Sequence, residues 1–176
     1  GASNTAVGRR SLRNTAAGAN NTAVGADAGL SITSGNNNTL IGDLAGDALT
    51  DADHNVAVGS EALSTDTQGS KSVAIGREAL RQQNFSSATD SNNTAVGYRA
   101  GLLVTTGTKN TFVGSEAGDA LAASADNVAV GYQSLSTETG GQNNVAVGKR
   151  TLQNQVNSSG NIYNVAVGSN AGKEIT

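Results

Sequence analysis

"NNTAVGADAG" (residues 20–29) returns as "NNTAVGYRAG" (residues 92–101), and shorter forms of the phrase, such as "NVAVG" at 127–131, run the length of the chain. Self-similarity at a fixed period is the signature of a repeat architecture. The glycine that closes each copy is Gly8, Gly25, Gly42, Gly59, Gly76, Gly97, Gly114, Gly131, Gly148 and Gly168. The step is 17 residues, except for 21 before Gly97 and 20 before Gly168. A longer period overlies this one. Four positions past the glycine stand Gly29, Gly46, Leu63 and Leu80, then Gly101, Gly118, Leu135 and Leu152, each 72 residues after its counterpart. Four coils therefore make a super-unit copied in tandem. The expected organisation is one repeat domain over 1–176, with super-units 21–92 and 93–164 and partial units 1–20 and 165–176. The opening "GAS" without Met, and an end soon after the tenth copy, suggest a piece of a longer fibre.

Composition narrows the fold further. The chain has two Phe, three Tyr and no Trp, Met, Cys or Pro, against 23 Gly. Its apolar content is mostly Ala, Val and Leu, which fill a thin interior and suit a solenoid whose coils pack only on their neighbours. The net charge of −3, with scattered Lys and Arg, argues against a nucleic-acid footprint. Without cysteine there is neither a disulfide framework nor a thiolate site. No apolar run approaches the length of a membrane span, so no membrane insertion is expected.

Within one coil, Asn-(Thr/Val)-Ala-(Val/Ile)-Gly reads as a short strand, because β-branched residues are stiff at χ1 and fit a pleated surface. Alternation puts Val128 and Val130 on one side and Ala129 on the other. The expectation is that the valines fill the coil, with Val130 nearly fully buried. The column Ala6, Ala23, Ala57, Ala74, Ala95, Ala129, Ala146 and Ala166, interrupted by Leu40 and Phe112, would then face outward. Such an apolar outer column calls for a partner chain. Glycine ends the strand, and the following turn is too short for a packed helix. The leading Asn21, Asn38, Asn55, Asn93, Asn110, Asn127, Asn144 and Asn164, with Ser72 in the remaining copy, are expected to stack as a structural ladder at a corner.

"NVAVG", "SVAIG" and the Gly-x-x-Ala that follows resemble the head repeats of trimeric autotransporter adhesins of the YadA type. "TTGTKNTFVGSEAG" is similar to repeats of phage tail fibres and bacterial surface proteins that lie upstream of endosialidase-type chaperone domains. The resemblance spans Asn4 to Gly172. It implies an all-β, left-handed parallel β-roll that forms a homotrimer and serves attachment outside the cell, on a virion tail fibre or a bacterial surface. The apolar outer column and this resemblance together lead us to expect a homotrimer.

A fibre or adhesin segment is accordingly the leading functional expectation, with a cell-surface glycan or protein receptor as partner. Two longer loops, 81–92 and 153–164, recur once per super-unit and carry Phe85 and Tyr163. With Tyr98 and Tyr132 these are the candidate contacts for a glycan or partner, although ordinary loop slack explains the loops as well. A polysaccharide-degrading spike would need paired carboxylates. Asp51, Asp53, Glu61, Asp66, Glu78, Glu116 and Glu138 are available, but at turn positions where charge usually marks a solvated edge. His54, the sole histidine, has Asp126 as its super-repeat counterpart and reads as a corner residue. No catalytic residue, cofactor or metal ligand is therefore expected, and an enzyme is not. An ice-binding solenoid is the alternative, weakened by a column that alternates Thr5, Thr22 and Thr39 with Val56 and Val73, which reads as core packing. Calcium binding through Gly-Gly-x-Gly-x-Asp repeats is excluded by their absence.

Overall fold

A computed structural model of the chain describes residues 1–155 and 160–174. Ten three-residue strands follow the motif: β1 (Thr5–Val7), β2 (Thr22–Val24), β3 (Thr39–Ile41), β4 (Val56–Val58), β6 (Val73–Ile75), β8 (Thr94–Val96), β9 (Thr111–Val113), β10 (Val128–Val130), β12 (Val145–Val147) and β14 (Val165–Val167). Two-residue strands β5 (Gly69–Ser70), β7 (Thr89–Asp90), β11 (Gly141–Gln142) and β13 (Gly160–Asn161) complete the set. The ten long strands form one parallel sheet in chain order, while β5 pairs with β7 and β11 with β13. Register is residue on residue, Ala23 opposite Leu40 and Leu40 opposite Ala57. The chain is thus an all-β parallel solenoid of about nine turns, with no helix among the described residues.

The assignment of faces is the reverse of the one expected. Ala23, Ala57, Ala74, Ala95, Ala129 and Ala146 are fully buried, as are Leu40 and Phe112. The flanking residues point outward: Val24 is 36 % exposed, Ile41 40 % and Val113 38 %, and Val130 is only half-buried. A three-residue strand gives one side chain to one face and two to the other. The narrow interior takes the single one, which packs in one core with the buried turn residues Ala28, Ala45, Ala62 and Ala79. Ala129→Glu would therefore disrupt the coil itself, not an association surface.

The super-unit is a size-matching device. Where the strand's inward residue is large, the turn has glycine: a Cβ on Gly118 would lie 2.4 Å from Phe112 Cε1, and one on Gly46 2.8 Å from Leu40 Cδ2. Leu40 and Phe112 also reach the coil before, where Gly29 and Gly101 accompany Ala23 and Ala95. In the other two coils of each super-unit, with inward alanines, Leu63, Leu80, Leu135 and Leu152 occupy the same turn position and are fully buried. These leucines accept a positive φ, 54° at Leu63 and 48° at Leu80, similar to the 59° of Gly118. Strain at that position is offset by filling the space that Leu40 or Phe112 fills elsewhere.

The asparagine column is a continuous hydrogen-bonded ladder. Asn110 donates through its backbone N to Asn93 Oδ1 at 2.9 Å, and Asn127 N donates to Asn110 Oδ1 at 3.0 Å. Most of the side-chain amides also donate to a carbonyl 14 residues on, in the next coil, as Asn110 Nδ2 does to Ser124 O at 2.8 Å. At Ser72 the ladder would break, and Gln83 fills the gap. Its Nε2 donates to Ser72 Oγ at 3.0 Å and to Asp66 Oδ2 at 2.6 Å, and its Oε1 accepts from Asn93 Nδ2 at 2.8 Å. In the second super-unit Gln155 Oε1 accepts from Asn164 Nδ2 at 3.1 Å.

Candidate interaction surface

The outward residues of the ten strands make two parallel columns. The column at the C-terminal end of the strands is entirely Val or Ile, from Val7 through Ile41 and Ile75 to Val167. The other alternates Thr22 and Thr39 with Val56 and Val73, then Thr94 and Thr111 with Val128 and Val145. The Thr/Val alternation therefore lies on the surface and not in the core, contrary to the expectation. Ten strands at a spacing of about 4.8 Å make a flat strip about 43 Å long and two β-branched side chains wide. That is on the order of several hundred Å² of contiguous, mainly apolar surface, the size that marks an interaction site.

Aromatic residues flank the strip without converging. Tyr98 and Tyr132 directly follow motif glycines and share one column two coils apart, about 9.6 Å along the axis. They are 38 % and 41 % exposed. The Arg99 guanidinium lies 5.0 Å from the Tyr98 ring centre and Arg150 lies 5.9 Å from that of Tyr132. Arg99 Nε also donates to Glu78 Oε2 at 2.7 Å, which, with the charges of Arg77 and Arg81, holds the Glu78 carboxyl below its ordinary value. Gln133 links Glu116 and Arg150 in the same way. Tyr163, exposed, sits on the other side of the strip, two residues before β14. Phe85 departs from the expectation of a contact residue. It is buried, with its ring packed on the Cα side of Gly69, where a Cβ would lie 2.8 Å from Phe85 Cδ2. Loop 153–164 is described only in part, since 156–159 lie outside the described residues.

The acidic candidates are also dispersed. Asp66 and Glu138 are fully buried, not solvated. Asp66 Oδ1 accepts from Gly69 N at 3.0 Å and Phe85 N at 3.1 Å, and Glu138 Oε1 accepts from Gly141 N at 2.7 Å, so both serve as turn anchors. A signal for this role was present: Asp66 and Glu138 recur 72 residues apart, as do Gln83 and Gln155. His54 is exposed at a corner, with φ 60°, in the column that Asp126 occupies at φ 58°. Among the described residues no group of three or more His, Cys, Asp or Glu is placed to hold a metal, and no helix is long and apolar enough to cross a membrane.

Asp47 and Asp119, counterparts in the two super-units, each leave a buried Oδ1 without a hydrogen-bond partner. Burial is the main cause that pushes both carboxyls from 3.8 up to about 6, assisted at Asp47 by Asp27, Glu61 and Asp43 and at Asp119 by Glu116. Between those values the folded state binds more protons than the unfolded one, so stability falls as pH rises through that window. Lowering the pH from 7 to about 4.5 is expected to stabilise the coil by about 1 kcal/mol per carboxyl, a figure reduced for their partial exposure. Thermal unfolding midpoints of the wild type and of Asp47→Asn/Asp119→Asn check this. The variant should be more stable at pH 7 and lack most of the gain on acidification.

No family model, curated protein or solved structure matches the chain, so the surface itself carries the functional reading.

Proposed function

We propose that the chain is a structural segment of an extracellular fibre or adhesin, of a phage tail or a bacterial surface, that associates into a homotrimer along the outward strip. The supporting observation is the double column of β-branched residues, continuous over all ten strands and left in water by a single chain. Burying it at about 25 cal/mol per Å² would stabilise association, and three strips meeting on an axis would cover one another. The number three comes from the resemblance to adhesin heads. Each added coil lengthens the rod by one strand spacing, which suits a segment that holds a receptor-binding part away from a surface. A glycan or protein receptor is its partner in that reading.

Sedimentation should give about three times the chain mass. Val113→Glu/Val130→Glu should give a monomer that keeps its β-type circular dichroism, because both side chains leave the coil interior untouched. A wild-type monomer would refute the association. The outward position of Thr22, Thr39, Thr94 and Thr111 favours one second reading, an ice-binding face on a flat lattice. A monomer that depresses the freezing point non-colligatively would establish it.

A further inference from the structure

A second surface lies on the returning half of the coil, five to eight residues after the motif glycine and apart from the strip. Thr65, Arg81, Gln82, Asn84 and Thr105 line a groove of about 520 Å³. Its walls are held by coil-to-coil backbone hydrogen bonds: Thr65 N to Arg81 O at 3.2 Å, Gln82 N to Leu102 O at 3.2 Å and Asn84 N to Thr105 O at 2.9 Å. The inserted loop is anchored beside it, with Phe85 buried, Thr67 Oγ1 donating to Phe85 O at 2.9 Å, and β7 paired with β5. The groove therefore belongs to a pinned insertion, which sets its shape before any ligand arrives.

All five lining side chains are polar. The Thr65 hydroxyl, the Gln82 amide and Asn84 Nδ2 have no hydrogen-bond partner among the described residues, while Asn84 Oδ1 accepts from Thr67 Oγ1 at 3.2 Å. Arg81 is oriented by Glu61, its Nε 2.8 Å from Glu61 Oε2, so the one cation of the groove is already neutralised. A hydroxyl, two amides and a fixed guanidinium offer donors and acceptors together. With no net charge and a lining that mixes polar groups with the apolar stems of the same side chains, the complementary ligand is a neutral polyhydroxyl compound, which offers both hydroxyls and C–H faces, and the volume is in the range of small-ligand sites. The repeat does not require these residues, since the second super-unit has Gln153, Asn154 and Val156 at the positions of Arg81, Gln82 and Asn84. The geometry points to a binding subsite for a neutral sugar unit in this groove. It stands whatever covers the strand face.

The full chain is titrated with methyl α-glucoside, methyl β-galactoside and N-acetylglucosamine, with N-acetylneuraminic acid as the anionic probe and glycerol as the non-sugar polyol. Side-chain amide resonances of Gln82 and Asn84 report the site in the wild type, and the backbone amides of Thr65 and Thr105 report it there and in the variants. At least one neutral sugar should shift both saturably at millimolar concentration. Gln82→Ala/Asn84→Ala should weaken that binding about tenfold or more without changing the unfolding midpoint, since both side chains are exposed. Gln153→Ala/Asn154→Ala should leave it unchanged. Three results would each overturn the subsite: no shift with any neutral sugar, a shift that survives Gln82→Ala/Asn84→Ala, or glycerol or the anion binding as well as the sugars. Sedimentation of the same samples keeps this outcome separate from that of the association.

Discussion

Phe112→Ala is expected to destabilise the solenoid by about 3–5 kcal/mol, as measured by denaturant unfolding. Phe112 is fully buried and is one of only two phenylalanines in a core otherwise built of Ala, Leu, Val and Ile. Its ring fills the space left by two glycines, with hypothetical Cβ atoms 2.9 Å from Phe112 Cδ2 at Gly101 and 2.4 Å from Cε1 at Gly118. Neither glycine can close the cavity, and the coils above and below are fixed by the sheet register. The compensating change is written elsewhere in the chain. Ala57 sits in a coil whose turn holds Leu63 at φ 54°, close to the 59° of Gly118. Phe112→Ala/Gly118→Leu should therefore recover a large part of the loss, whereas Gly118→Leu alone should overpack and destabilise by about 1–3 kcal/mol. Additive effects of the two substitutions would refute the size-matching account.

Asn110→Leu should cost about 2–5 kcal/mol in the same measurement, because it orphans two buried backbone groups on the next coil at once. Asn127 N loses its acceptor, Asn110 Oδ1, and Ser124 O loses its donor, Asn110 Nδ2. Leucine approximates the volume but supplies neither function. Asn110→Asp isolates the donor half: it retains an acceptor for Asn127 N, yet leaves Ser124 O unpaired and places an ionisable group where Asn110 is fully buried. Its cost should fall as pH is lowered and the carboxyl takes up a proton. The natural exception supports the reasoning. Ser72 lacks an amide, and the chain supplies Gln83 to bridge Asn93 and Asp66.

The period, the strand and the asparagine column were legible in the sequence, because each is a local property repeated ten times. A glycine every 17 residues marks the coil, β-branched residues beside it mark the strand, and an asparagine in nearly every copy marks a ladder. What periodicity could not supply was the sign of the alternation. Ala129 and its neighbours Val128 and Val130 are all apolar, so the pattern separates two faces without saying which is inside. The closed coil decides it, because its narrow interior takes the single side chain of each strand and turns the two valines outward. The carboxylates show the same limit. Asp66 and Glu138 look solvated in a polar turn, and only the folded chain shows them buried and bonded to the backbone of their own turn. The groove of Thr65, Gln82 and Asn84 joins residues on adjacent coils, so its existence depends on stacking and not on any local pattern. Sequence thus determined what repeats, and tertiary structure decided what each repeat turns toward water.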